Sequence, residues 1–280
     1  MQPRSLPPTS WPRRWGSVSY SLIGILMFLS AQLFAQTVVQ DSAHPVRRKG
    51  KPVRVAIDVG SLMGMHAPEF FRDYKRYLQG PASTFNAPEV LRIGIGSYQF
   101  TDIAVGLTSG YYRGVVRETY LYRSERIDSA MRLPTQTLYQ EITATSIPTM
   151  LTVDYVPNGR QFTTYAGAGV GMSVLRLTWN EGLSASQVMG ARRSGERYNE
   201  VHLVPTFMVR TGVSLGLDKH LSQHAAAAIH IEVSYTHSIT SAPLFSSIAN
   251  DIPATSTLVD PYRVDAGGFG LHAGVSIFLQ

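Results

Sequence analysis

From Val53 onward the chain alternates apolar with polar or small residues at a period of two. Successive side chains of a strand point to opposite faces, so this alternation predicts strands with one apolar face. Eight runs carry it: 53–63, 89–99, 102–112, 141–155, 162–178, 200–217, 224–238 and 263–279. In the first, Val53, Val55, Ile57 and Val59 oppose Arg54, Ala56, Asp58 and Gly60. In the seventh, Ile229, Ile231, Val233 and Tyr235 oppose Ala228, His230, Glu232 and Ser234. Several runs exceed the five or six residues of a globular strand and reach the roughly 9–11 that a tilted strand needs to cross a bilayer.

The spacing between runs alternates as well. Short links are expected near Phe100–Thr101, at 156–161 and at 218–223, and long ones at 64–88, 113–140, 179–199 and 239–262. Short turns on one side and long loops on the other predict an all-β fold, an eight-stranded antiparallel up-and-down transmembrane β-barrel. Aromatic residues fall at both ends of the runs. Tyr98, Phe100, Tyr155, Phe162, Tyr165 and Phe278 lie near the short turns, and Tyr111, Tyr112, Trp179, Tyr235 and Tyr262 near the long loops. These positions suit girdles at two membrane interfaces.

Composition agrees with that picture. Hydrophobic residues make up 44% and charged residues 16%, and mean hydropathy is −0.02. This is too polar for a bundle of membrane helices and poor in charge for a soluble enzyme. The formal charge of +6 is concentrated early, in Arg4, Arg13 and Arg14 and then Arg47, Arg48, Lys49 and Lys51. Nucleic acid is therefore not an expected partner. With no cysteine, disulfides, thiolate metal sites and a lipoprotein anchor are excluded. The basic start followed by LIGILMFL at 22–29 predicts a signal peptide over 1–35, cleaved after Ala35. Residues 36–52 are expected to be a flexible periplasmic lead-in, and 53–280 the barrel domain.

With the export segment 22–35, the Gly-rich strand GAGVGMSVL at 167–175 and the closing strand GGFGLHAGVSIFLQ at 267–280, residues 53–280 resemble the small porin-like outer-membrane β-barrel family, the OmpA/OmpX-type eight-stranded barrels. The resemblance implies an outer-membrane location. It also implies contact with outer-membrane lipids and lipopolysaccharide, and handling by the barrel-insertion machinery. In this family the insertion signal often ends on an aromatic residue; here the aromatic, Phe278, sits two residues early.

The ionisable residues of the strands fall on the inward face. Asp58, Arg210, His230, Glu232 and His272 are expected to form a polar lumen cluster. Buried charges satisfy one another, so the cluster reads as structural; its acid–base groups also suit proton or ion conduction, or general acid–base catalysis. No nucleotide loop or hydrolase elbow is present, and no catalytic residue, cofactor or metal is expected. The adjacent His237 and Ser238 bring in a lipid-modifying barrel enzyme as an alternative. The segment EFFRDYKRYL at 69–78 has the spacing of a short amphipathic helix at the headgroup surface or over the barrel mouth, its cations suited to lipopolysaccharide phosphates, and equally suits a simple loop folded against the rim. The expected function is non-enzymatic: structural integrity, surface interaction or limited solute passage. A further alternative is an accessory barrel of secretion or surface-organelle assembly, with a surface or periplasmic protein as partner.

Overall fold

Alternation at Val53–Met63 becomes strand β1, which pairs antiparallel with β2 (Glu89–Tyr98). The chain then winds through β3 (Ile103–Arg123), β4 (Thr135–Tyr155), β5 (Phe162–Leu183), β6 (Gly195–Gly216), β7 (Ala225–Ala242), β8 (Tyr262–Asp265) and β9 (Gly268–Leu279). This computed structural model describes residues 53–81, 84–85, 89–99, 102–123, 135–157, 162–183, 195–217, 225–246 and 260–279. The expected signal peptide, the lead-in and the closing turn at Phe100–Thr101 lie outside the described residues. Each strand pairs with its neighbour, β7 pairs with β9, and β9 returns to β1. The ring therefore closes with eight strands, and β8 continues the line of β9 along the top of β7.

Paired residues measure the strand stagger. From Val53 the path runs through Ser97, Val105, Val153, Ala168, Val209, Tyr235 and Phe269 to Met63. It returns to β1 ten residues from its start, so the strands are strongly tilted against the barrel axis. The apolar face points outward: Ile57, Leu151 and Val209 remain 54–56% exposed. A continuous belt of this kind is far larger than the apolar patches soluble monomers carry, and lipid is the solvent that stabilises it. No described helix is long and apolar enough to cross a membrane; the strands do the crossing.

Three expectations need correction. First, four strands are much longer than their alternation in the belt suggested. β3 to β6 each run 21 or 22 residues, so 113–123, 135–140, 179–183 and 195–199 are wall rather than loop. The period of two persists there while the polarity of the faces inverts. On β5, Ala168, Val170, Met172 and Val174 face out below, whereas above them Arg176, Thr178 and Asn180 face out and Leu175, Leu177 and Trp179 are buried inside. Water replaces lipid outside, and the interior takes over the apolar residues. Second, 263–279 is interrupted at Ala266–Gly267 into two strands. Third, only part of the aromatic set forms girdles. Tyr111, Tyr155, Phe162 and Tyr235 face outward, but Tyr98, Tyr112, Tyr165, Trp179 and Tyr262 are buried inside, and Phe278 packs on Tyr98. Strand parity puts each of these on the same face as the inward glycines and charges, and side-chain size does not change that.

Above the membrane level the mouth is filled. Helix α1 (Pro68–Leu78) starts with proline in its first turn, where no N–H is needed, and ends at Gln79 in the left-handed conformation. Its Phe70, Phe71, Tyr74 and Leu78 are buried. Phe70 meets Trp179, Phe245 and Tyr262 at ring-centroid distances of 5.4, 5.3 and 5.8 Å. The segment is thus a helix over the barrel mouth, and its burial there decides among the headgroup-surface, mouth and rim-loop readings the sequence allowed.

Candidate functional site

Below this plug the lumen holds charge. Arg92 on β2 is its hub: Nη2 lies 2.7 Å from Asp58 Oδ2 on β1, and Nη1 lies 2.6 Å from Glu232 Oε1 on β7. Arg210 grips Asp154 with two donors, at 2.8 and 2.6 Å, and reaches within 3.8 Å of Glu232. His230 Nε2 sits 2.5 Å from Asp58 Oδ1, and Tyr165 donates to Glu232 at 2.9 Å. His272 is bonded to Ser234 at 2.9 Å. Arg54 donates to Ser276 at 3.0 Å, and its guanidinium lies over the Tyr165 ring. Three guanidiniums (Arg54, Arg92, Arg210) thus face three carboxylates (Asp58, Asp154, Glu232), and the network balances without a bound ion.

Glycine decides which of these groups meet. Gly274 is the register partner of both Asp58 and His230. Gly167 stands between Asp154 and Arg210, and Gly212 between Tyr165 and Glu232. Each bonded pair is therefore two strands apart, about 10 Å between backbones, and spans a position with no side chain. A Cβ at Gly274 would overlap Asp58 Oδ1 and crowd His230 Nε2; one at Gly167 would overlap Asp154 Oδ1. Gly274→Ala is accordingly expected to destabilise the barrel by about 1–3 kcal/mol, the usual scale of overpacking. Denaturant unfolding in detergent reads this, and a variant as stable as the parent would show that the Asp58–His230 contact does not depend on that gap.

All five expected lumen residues face inward. Asp58 and His230 touch directly, Arg210 and Glu232 are near neighbours, and His272, the register partner of Glu232, is bonded to Ser234. Sequence reading left Arg54, Arg92, Asp154 and Tyr165 out of the cluster. Arg92 and Asp154 carried the inward parity that could have placed them; Tyr165 was assigned to the girdle. His237 and Ser238 do not form a pair: as adjacent strand residues they face opposite ways, His237 outward and Ser238 buried against Thr206 at 3.2 Å.

Ser276, His230 and Asp58 are linked hydroxyl to imidazole to carboxylate, at 3.2 and 2.5 Å, the connectivity of an acyl-transfer triad. All three are buried, however, and Arg54 already donates to the hydroxyl. The neighbouring cavity, lined by Arg54, Asp58, Thr108, Thr152, Asp154 and Arg210, measures about 30 Å³. That holds a water or two and no acyl group. Among the described residues no cluster of histidine and carboxylate side chains is arranged to hold a metal.

Closed, up-and-down, apolar outside and charged within, the structure defines an eight-stranded transmembrane β-barrel. No family model matches the sequence, and comparison with curated proteins finds no match. Among solved structures the chain is similar to Neisserial surface protein A, with 11% identity over 82% of this chain and 99% of that one, at a TM-score of 0.32. It is also similar to Ail, the attachment invasion locus protein of Yersinia pestis (10% identity, 81% and 99% coverage, TM-score 0.32). A third is the outer membrane protein AlkL, at 16% identity, 86% and 97% coverage and a TM-score of 0.26.

Proposed function

We propose that this protein is a non-enzymatic, non-conducting barrel of the bacterial outer membrane that anchors a raised wall for contacts at the cell surface. Residues 1–35 direct its export, and the short turns face the periplasm. The observation that carries the reading is the doubly closed lumen, with a balanced ionic network at mid-height and an aromatic plug at the mouth. Eight-stranded barrels leave an interior that side chains fill, and here the cavity beside Arg54, Asp58 and Arg210 is about 30 Å³, room for a water or two. Because nothing passes through, function falls to the outside. There, strands β3 to β6 continue well past the belt and expose Arg117, Tyr139 and Leu121 on their outer face.

Reconstitution of the full chain in a planar bilayer tests this. Insertion without discrete channel openings is the expected result, with heat-modifiable gel migration showing that the protein in the same preparation is folded. Steady porin-scale conductance from folded protein would overturn the reading.

A further inference from the structure

We propose that the upper edge of β6, from Asn199 to Leu203, accepts an extended peptide of another protein as an added strand, one whose apolar residues alternate with basic ones. The inference rests on the reading of the wall as a surface for contacts and deepens it by naming the place and the chemistry of the partner.

Halfway up, β6 loses a neighbour. Pairing with β7 runs from Gly216 and Ala228 to Thr206 and Ser238 and stops there. The next rung needs the N–H of residue 205, which is proline. β7 ends at Ala242, whereas the rest of β6, up to Gly195, is paired with β5 alone. Strand parity shows which groups this frees. Leu217 N–H donates to Ala227 at 2.7 Å, so odd-numbered residues of β6 turn their main-chain groups towards β7 and even-numbered ones towards β5. From there to Tyr198 the register has no bulge. The N–H and C=O of Asn199, Val201 and Leu203 therefore point to the open side, and among the described residues no backbone hydrogen bond reaches them.

Side chains at this edge select the partner. Val201 and Leu203 face outward and are 63% and 68% exposed, against 54–56% for Ile57, Leu151 and Val209, which have a strand on either side. Val201 is in register with Arg176, the first charged outward residue of β5. Rows rise from β3 towards β6 with the strand tilt, so Val201 stands above the belt, with water outside it. Apolar side chains beside unpaired main-chain groups are what an added strand covers, through its own hydrogen bonds and alternate side chains. On the inner face Glu200 keeps 55% of its side chain exposed, and its ion-pair partner among the described residues is His202 alone, at 3.9 Å. Tyr198 O–H donates to Glu200 at 2.8 Å and accepts from His202 at 3.0 Å, which holds the carboxylate beside the open edge. A carboxylate placed there repels an acidic strand and pairs with a basic one.

The full chain folded into lipid vesicles, titrated with a labelled synthetic peptide alternating valine and lysine, tests the edge by fluorescence anisotropy. This peptide is expected to bind about tenfold more tightly than a valine–glutamate counterpart, and Glu200→Gln to abolish that difference. Leu203→Pro removes an edge-facing N–H and none that β5 uses, and is expected to weaken the lysine peptide about tenfold. In the parent, amide hydrogen exchange at Val201 and Leu203 is expected to slow once the peptide is bound, a readout that needs no variant. A parent that binds neither peptide, a folded Leu203→Pro that binds like the parent, or a bound peptide that leaves those two amides unprotected would each overturn the edge. Equal binding of the two peptides would overturn the basic partner. A dimer in detergent that Leu203→Pro dissolves would put a second copy there in place of a peptide. Failure of the parent to insert into vesicles would instead count against the membrane-barrel reading itself.

Discussion

Glu232→Ala is expected to cost the barrel about 3–5 kcal/mol, the scale for stripping one partner from a buried ion pair. Glu232 is 1% exposed, accepts from Tyr165, and is ion-paired with Arg92 at 2.6 Å and flanked by Arg210 at 3.8 Å. Its removal leaves the buried guanidinium of Arg92 with Asp58 as its one remaining ion-pair partner among the described residues. Glu232→Gln keeps the volume and one acceptor and should lose less. The paired change Arg92→Ala/Glu232→Ala should cost clearly less than the two single changes added, because the second removal takes away a charge the first left unpaired. Urea unfolding of the folded chain in lipid vesicles, followed by tryptophan fluorescence and heat-modifiable migration, measures the parent, the three single variants (Arg92→Ala included) and the double variant. Strict additivity, or an alanine variant that unfolds with the parent, would show that these charges are individually solvated and do not form one network.

A loss of similar size is expected at the other end of the lumen. Phe70→Ala should destabilise the plug by about 3–5 kcal/mol, as for a fully buried phenylalanine. Phe70 contacts Phe71, Tyr74, Trp179, Phe245 and Tyr262, so the cavity left behind is bounded in part by Trp179 and Tyr262, which the strands hold in place. The consequence should be local. Asp73 holds Tyr262 at 3.0 Å and stays in place only while the helix is seated. Limited proteolysis is expected to cut the variant within 64–88 while the barrel below stays resistant and heat-modifiable. Global loss of the barrel would mean that plug and lumen fold as one unit, and an uncut variant would mean that the helix is held by something other than its aromatic face.

The strand count, the chain order, the outward apolar face and the inward placement of Asp58, Arg210, His230, Glu232 and His272 were legible in the sequence. All of these follow from a period of two, which is a local property of the backbone: each residue's face is set by its neighbours two positions away. Local spacing allowed the helix at 68–78 but equally allowed a loop folded against the rim, and only packing over the mouth separates the two. The partners of the charges were not. Whether Asp58 meets His230, or Asp154 meets Arg210, depends on a ten-residue stagger around the closed ring and on glycines at 274 and 167 that no local pattern ties to those residues. The height of the wall was hidden for a related reason, since above the membrane the apolar residues change sides while the period stays the same. Alternation records which face a side chain is on; only the closed tertiary structure decides what that face looks upon.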